Sequence, residues 1–215
     1  MITILDFHTH RLDAAQALIS VSPKDFSPQP ERYYSVGFHP WLPLETLSED
    51  DFALLEQCAR HPQVLAVGET GMDSLRGSDL NVQETVFTRH LRLAAQLHKP
   101  VVVHCVRTAQ QILAIRRRES LTAVPLAIHG MRGNERVART WLEEGCYLSY
   151  GARFNPKAVE TTPRDRLLIE TDEAHETIQE VAAMIADVLN CSADEVMALT
   201  AANARRLLTS QDYNR

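Results

Sequence analysis

Two histidines one residue apart, in Asp6-Phe7-His8-Thr9-His10, follow the apolar run Ile2 to Leu5, at a point where a strand runs out into a loop. Alternate residues of a strand share a face, so both imidazoles turn the same way and can reach one divalent ion, with Asp6 beneath them. Four later segments repeat the arrangement of a short apolar run leading into a potential ligand. Leu65 to Gly68 precedes Glu69, Pro100 to Val103 precedes His104, Val124 to Ile128 precedes His129, and Leu167 to Thr171 precedes Asp172. A lone histidine or carboxylate in such a place reads equally well as a loop residue or a helix cap; the set reads as a metal site. Imidazole with carboxylate suits zinc, manganese, iron or nickel, and the carboxylates keep magnesium open.

His39, in Gly37-Phe38-His39-Pro40, also follows a strand-like run, Tyr33 to Val36, and is a candidate for lining the same pocket. His90 and His98 read as surface residues of a helical stretch, and His61 as a turn residue before Pro62. Cys105 stands beside His104, but neighbouring strand residues face opposite sides, so it reads as a packed thiol.

The elements that must position these groups are legible as alternation. Strand-like runs occur near residues 2–7, 16–21, 33–37, 64–68, 100–104, 124–128, 145–149 and 166–170. Helical patterns fit a segment capped at Ser48-Glu49-Asp50-Asp51 and ending near Arg60, and one capped at Asn81-Val82-Gln83-Glu84 and bearing Phe87, Leu91, Ala94 and Ala95. Others fit Thr108 to Arg118, Glu135 to Glu144 with Gly145 as stop, Thr177 to Leu189, and a last helix from Ser192-Ala193-Asp194-Glu195 to Leu208. Strands alternating with helices imply a parallel sheet, and this many strands imply a (β/α)8 TIM barrel, whose sites lie at the C-terminal ends of the strands. The 215 residues fall below the ~250 typical of that fold. The first two inter-strand gaps are too short for ordinary crossover helices, which need ~10–12 residues, and Pro23, Pro28 and Pro30 discourage a helix in the second. The expectation is a single domain over 1–215, an irregular, trimmed barrel lacking one or two early helices. Loops or a partner subunit would cover that flank, which leaves a homodimer open.

The formal charge of −6 argues against a general nucleic-acid coat, because sequence-independent binding relies on Lys and Arg. Positive charge nevertheless gathers in the second half, at Arg132, Arg136, Arg139, Arg153, Lys157, Arg164 and Arg166; the run Arg116 to Arg118 reads as a solvated helix face. The four cysteines show no CxxC spacing, the N-terminus has no signal-peptide pattern, and no apolar run nears the ~20 residues of a membrane span. These features predict a reduced cytoplasmic protein with no membrane contact.

The chain resembles the TatD family of metal-dependent hydrolases, in the amidohydrolase-like TIM-barrel group. The resemblance rests on Asp6 to His10, Gly37 to Pro40, Gly68-Glu69-Thr70-Gly71-Met72-Asp73, Pro100 to His104, His129-Gly130-Met131-Arg132-Gly133, Glu170-Thr171-Asp172 and the final Asn203-Ala204 helix. It implies two divalent ions, with magnesium, zinc or manganese as candidates: His8, His10 and Asp172 holding one, His104 and His129 the other, and Glu69 bridging. It also implies deoxyribonuclease activity of a 3′-5′ exonuclease kind on a DNA or nucleotide substrate. The chain departs from the family pattern at Arg107, which stands three residues after His104 rather than two, and in the near absence of a long loop after Asp172.

The expected chemistry is attack by a metal-activated water that Asp172 orients and deprotonates, with Glu69 fixing the metal separation. His39, Arg132 and Arg153 are the candidate substrate contacts, arginine being suited to bidentate phosphate binding. Asp73 reads as a turn cap. Two alternatives stand beside this reading: hydrolysis of a small ester, lactone or amide, and a catalytically silent barrel that acts as a binding protein.

Overall fold

The computed structural model describes residues 3–209, so Ile2, which opens the first predicted run, lies outside the described residues. The strands are β1 (Asp6–Thr9), β2 (Ala17–Val21), β3 (Tyr33–Val36), β4 (Val64–Asp73), β5 (Val101–Val106), β6 (Leu126–Ile128), β7 (Tyr147–Tyr150) and β8 (Leu167–Ile169). They form one sheet in the order β1 to β8, and the pairings described are parallel. A parallel bridge from Thr9 to Asp172 joins the first strand to the segment after the last. The helices are α1 (Glu49–Ala59), α2 (Leu80–Leu97), α3 (Ala109–Arg118), α4 (Glu135–Leu142), α5 (Pro156–Thr161), α6 (Ile178–Leu189) and α7 (Ala193–Thr209). This is the (β/α)8 barrel, trimmed as expected: among the described residues no α-helix lies between β1 and β3, and a single 3-10 turn, Pro23–Asp25, sits in the second gap.

The chain is divided between two compact units. One comprises the described residues up to Ile19 and those from Ala127 onward. Here α6 packs on α7 and α7 on β8, burying Val181, Ile185, Val196 and Leu207. The other is Ser20–Leu126, in which α2 covers β4 through Val86, Phe87, Leu91 and Ala94. Val101, Val102 and Val103 of β5 are fully buried, the continuous apolar run expected of a parallel strand covered on both faces.

Helix boundaries follow local side-chain chemistry. Ser48 and Asp51 close a capping box on α1, and Thr177 and Glu180 do the same on α6. Ser192 and Glu195 exchange equivalent bonds at the head of α7. The predicted cap at Asn81 is corrected: Asp79 accepts the Asn81 backbone N–H at 2.8 Å and starts α2 two residues earlier than the pattern implied. α4 ends at Leu142 rather than Glu144. The short α5, capped by Asn155 with Pro156 in its first turn, had no apolar period long enough to announce it.

Two surface assignments are also corrected. His90 is fully buried, and Arg116 is 2% exposed because its guanidinium donates to the Thr122 and Val124 carbonyls. Both side chains satisfy backbone groups that the fold would otherwise bury unpaired. Among the described residues no helix is long and apolar enough to cross a membrane.

Candidate metal centre

In the first unit, His8, His10 and Asp172 come together as the strand-end pattern suggested. His8 lies within β1 and is wholly buried, whereas His10 stands beyond the strand end and is half-exposed. Their Nε2 atoms lie 3.8 and 3.7 Å from Asp172 Oδ1. Asp172 adopts φ 53°, a left-handed conformation that costs a non-glycine residue energy unless its surroundings hold it there. They do so: its N–H donates to the His8 carbonyl at 2.8 Å, and its carbonyl accepts the Thr9 hydroxyl at 3.2 Å.

Asp6 lies beneath this group. It accepts the Thr171 N–H at 2.9 Å and the Thr171 hydroxyl at 2.6 Å, tying β1 to the end of β8. Burial pushes its pKa up to about 6, against the lowering effect of those bonds and with the Glu170 charge adding to the rise.

His129 follows β6 directly, its ring 4.2 Å from that of His8 between centroids. It groups with Asp172 and with Glu170, whose Oε1 lies 3.4 Å from His129 Nδ1 and accepts the Gly130 N–H at 2.6 Å. Glu170 is fully buried, and its Oε2 has no hydrogen-bond partner among the described residues. The sequence reading counted Glu170 as part of the apolar run before Asp172. A carboxylate inside such a run was itself the overlooked signal, since buried acids are rare unless paired or functional.

Asp172 and Glu170 also line a cavity of about 330 Å³ with Arg132, Arg153, Glu173 and His175.

In the second unit, Glu69 gathers His39 and His104. Glu69 Oε1 lies 3.0 Å from His39 Nε2 and 2.9 Å from His104 Nδ1. β4 is longer than the predicted run: it continues from Gly68 through Asp73, and its register with β5 shifts between Val67 and Thr70. Such a bulge re-aims a side chain. Gly71 makes the close approach to β5 that the bulge requires, since a Cβ there would lie 2.0 Å from the His104 carbonyl oxygen.

Proton positions follow from the partners. His39 Nδ1 accepts the Trp41 backbone N–H at 3.1 Å, so its Nε2 carries the proton and donates to Glu69. A protonated Nε2 is a poor ligand, and His39 therefore steadies Glu69 rather than competing for an ion. His104 is turned the other way. Its Nε2 lies 3.4 Å from Asp73 Oδ2, the backing carboxylate that directs a histidine's other nitrogen to a metal. Asp73 is in turn held by the Trp41 indole N–H at 2.8 Å and the Leu75 N–H at 2.8 Å. Burial raises its pKa, but those two bonds and His104 together bring it below the usual carboxylate range. Asp73 thus caps its turn, as expected, and also backs His104, a role that spacing four residues after Glu69 did not reveal.

Donor chemistry fits a divalent ion. In each cluster the imidazole nitrogens and carboxylate oxygens lie within 4.8 Å of one another. His104 Nδ1 and Glu69 Oε1 lie 2.9 Å apart, and the His39 Nε2–H reaches both, at 3.3 and 3.0 Å; imidazole nitrogen beside carboxylate oxygen is a donor set that suits a divalent ion.

The family model for TatD related DNase matches residues 24–209. The chain belongs to the TatD family of metal-dependent hydrolases. It is 29% identical over 196 residues to the uncharacterized metal-dependent hydrolase YabD of Bacillus subtilis, covering 81% of this chain and 76% of that protein. The 3′-5′ ssDNA/RNA exonuclease TatD of Cronobacter turicensis is 35% identical over 148 residues, 64% of this chain and 56% of its own length. Among solved structures, the TatD homologue YjjV of Escherichia coli superimposes with a TM-score of 0.79 at 22% identity, covering 98% of this chain and 100% of that one. A TatD-family hydrolase from Entamoeba histolytica gives 0.77 at 13% identity over 96% and 98%. This TatD-family member is a metal-dependent hydrolase on the same barrel, and its clustered histidines and carboxylates suit divalent-metal binding.

Proposed function

We propose that this hydrolase cleaves phosphodiester bonds of DNA as a 3′-5′ exonuclease, with two divalent ions drawn from magnesium, zinc or manganese. The observation that carries the reading is the cavity beside Asp172, where Arg132 and Arg153 join the wall formed by Glu170 and Asp172. Two guanidiniums offer the rigid donor forks that match phosphate oxygens, and a neutral small ester has no use for them. The Cronobacter relative, by its name an exonuclease of single strands, supports the polarity.

His8, His10 and Asp172 would hold one ion, His104 and His129 the other, and Glu69 would join them. Such ions supply Lewis-acid chemistry, lowering the pKa of a water and offsetting charge on phosphoryl oxygens. The chain's own groups do the rest. The Asp172 carboxylate, on a backbone pinned by His8 and Thr9, orients the attacking water and takes its proton. His39 keeps Glu69 in one orientation through its Nε2–H. Arg132 and Arg153 bind the non-bridging oxygens and hold the phosphate in line. Cys58, Cys105, Cys146 and Cys191 form no disulfide among the described residues, which suits the reducing cytoplasm as its compartment.

The test is digestion of 5′-labelled single-stranded DNA with added magnesium, manganese or zinc. Products shortened from the 3′ end, and lost in Asp172→Asn, support the proposal. Intact DNA alongside turnover of a small ester, lactone or amide would transfer the site to the alternative substrate class.

A further inference from the structure

Trp41 is 42% exposed, yet its ring is held in one place. The indole N–H donates to Asp73, and the Trp41 backbone N–H donates to His39. The His39 and His104 rings meet the indole edge-on at centroid distances of 4.7 and 5.3 Å. The Trp41 side chain thus touches the two histidines that flank Glu69, and it does so from the solvent side. The guanidinium carbon of Arg76 lies 3.9 Å from the indole ring centroid. Leu42 and Leu75, 37% and 63% exposed, belong to the same two loops, after β3 and β4.

Core packing does not account for this arrangement, because an aromatic that served packing would be covered. The indole has its polar atom satisfied and its orientation set, so a planar group settling on it loses little side-chain entropy. Arg76 marks the accessible face, where an exposed, planar, delocalised cation lies in the position a base would take. Once displaced, the same guanidinium is free to meet a phosphate.

We propose that Trp41, together with Arg76, is a stacking platform for a nucleobase of the substrate strand. The inference rests on the phosphodiesterase reading and deepens it. It makes the substrate a strand with unpaired bases at the site, and it predicts little preference among bases, since every base offers a π-face. Trp41 belongs to substrate binding, and Asp73 and His39 tie its position to that of the centre.

The protein has two tryptophans, and the second, Trp141, is 1% exposed, so a change in the exposed emission reports Trp41. The metal-loaded protein is titrated with a phosphorothioate oligothymidylate about eight nucleotides long, and with one of equal length whose terminal residues are abasic. Saturable quenching by the first and much weaker quenching by the second is expected. In activity, Trp41→Leu should raise KM for single-stranded DNA about tenfold, and Trp41→Phe, which keeps a ring but loses the N–H, should restore most of that loss. Equal quenching by both oligonucleotides, no quenching, or a Phe variant as impaired as the Leu variant would overturn the platform. Hydrolysis of methyl p-nitrophenyl phosphate, which has no base, separates the two failures. If the wild type cleaves it while the platform tests fail, the phosphodiesterase reading stands without the platform; if it cleaves neither, both fall.

Discussion

His39 and His90 each accept a backbone N–H, which fixes the tautomer, whereas both ring nitrogens of His104 face carboxylates, Glu69 at Nδ1 and Asp73 at Nε2. Asp73, 3.4 Å from Nε2, backs the His104 ring from the side away from Glu69. Asp73→Asn keeps the shape and can keep the Trp41 contact, but it removes the charge that turns Nδ1 toward Glu69. Divalent-metal affinity, measured by calorimetric titration, should fall about 10–100-fold with the fold intact, as when such backing groups are lost elsewhere; an unchanged affinity would deny Asp73 this role. His90 accepts the Phe38 N–H at Nε2, 3.0 Å away, while Nδ1 donates to the Val86 carbonyl at 2.7 Å. A second ring proton would point at another N–H, and burial lowers the pKa to about 4, helped slightly by Arg89. Because the folded pKa lies below the unfolded value near 6.5, the unfolded chain takes up the proton first. His90 therefore contributes stability above pH 6.5 that is lost as pH falls toward 4, about 3 kcal/mol in all. Urea unfolding of the wild type and of His90→Gln between pH 7 and 4 should give curves that converge on acidification; parallel curves would contradict the assignment.

β4 is the element on which the second cluster depends, and it is also where sequence pattern was least informative. The apolar run 64–68 predicted a strand ending before Glu69, whereas the strand continues to Asp73 through a register shift against β5. Periodicity cannot register a bulge here, because Gly68-Glu69-Thr70-Gly71 interrupts the apolar pattern although the strand stays buried through Asp73. Gly71→Ala places a methyl against the His104 carbonyl at φ 147°. It should destabilise the fold by at least about 2 kcal/mol in urea unfolding and weaken metal binding as His104 shifts; a stable variant with normal metal affinity would show that the approach of β4 to β5 is not needed. Helix starts were far more legible, because a cap is a local exchange between residues three apart. Ser48 and Ser192 were readable for that reason, while Asp79 was missed because its bond reaches only two residues, to Asn81; the Thr177–Glu180 box emerges from the structure at a helix start already read. Thr177→Ala should cost about 1 kcal/mol, read as a lower urea midpoint, while leaving metal affinity in place.

At the scale of the molecule, barrel order was legible because each strand buried on both faces leaves an apolar run, and each helix leaves a 3.6-residue period. The missing early helices were legible from gap lengths alone. Which histidines serve the site was less so: His8, His10, His104 and His129 announce themselves at the ends of apolar runs, but His90 looks the same as a surface histidine until the Phe38 N–H it accepts is known. Glu170 was hidden for the opposite reason, sitting inside the run that pointed to its neighbour. The central claim is that these clusters hold divalent ions, and elemental analysis of the reconstituted protein beside His8→Ala, Glu69→Ala and Asp172→Asn tests it most directly. About two equivalents in the wild type, falling in His8→Ala and Glu69→Ala, is the predicted result for a binuclear centre. A folded wild type that retains no metal after reconstitution would contradict it.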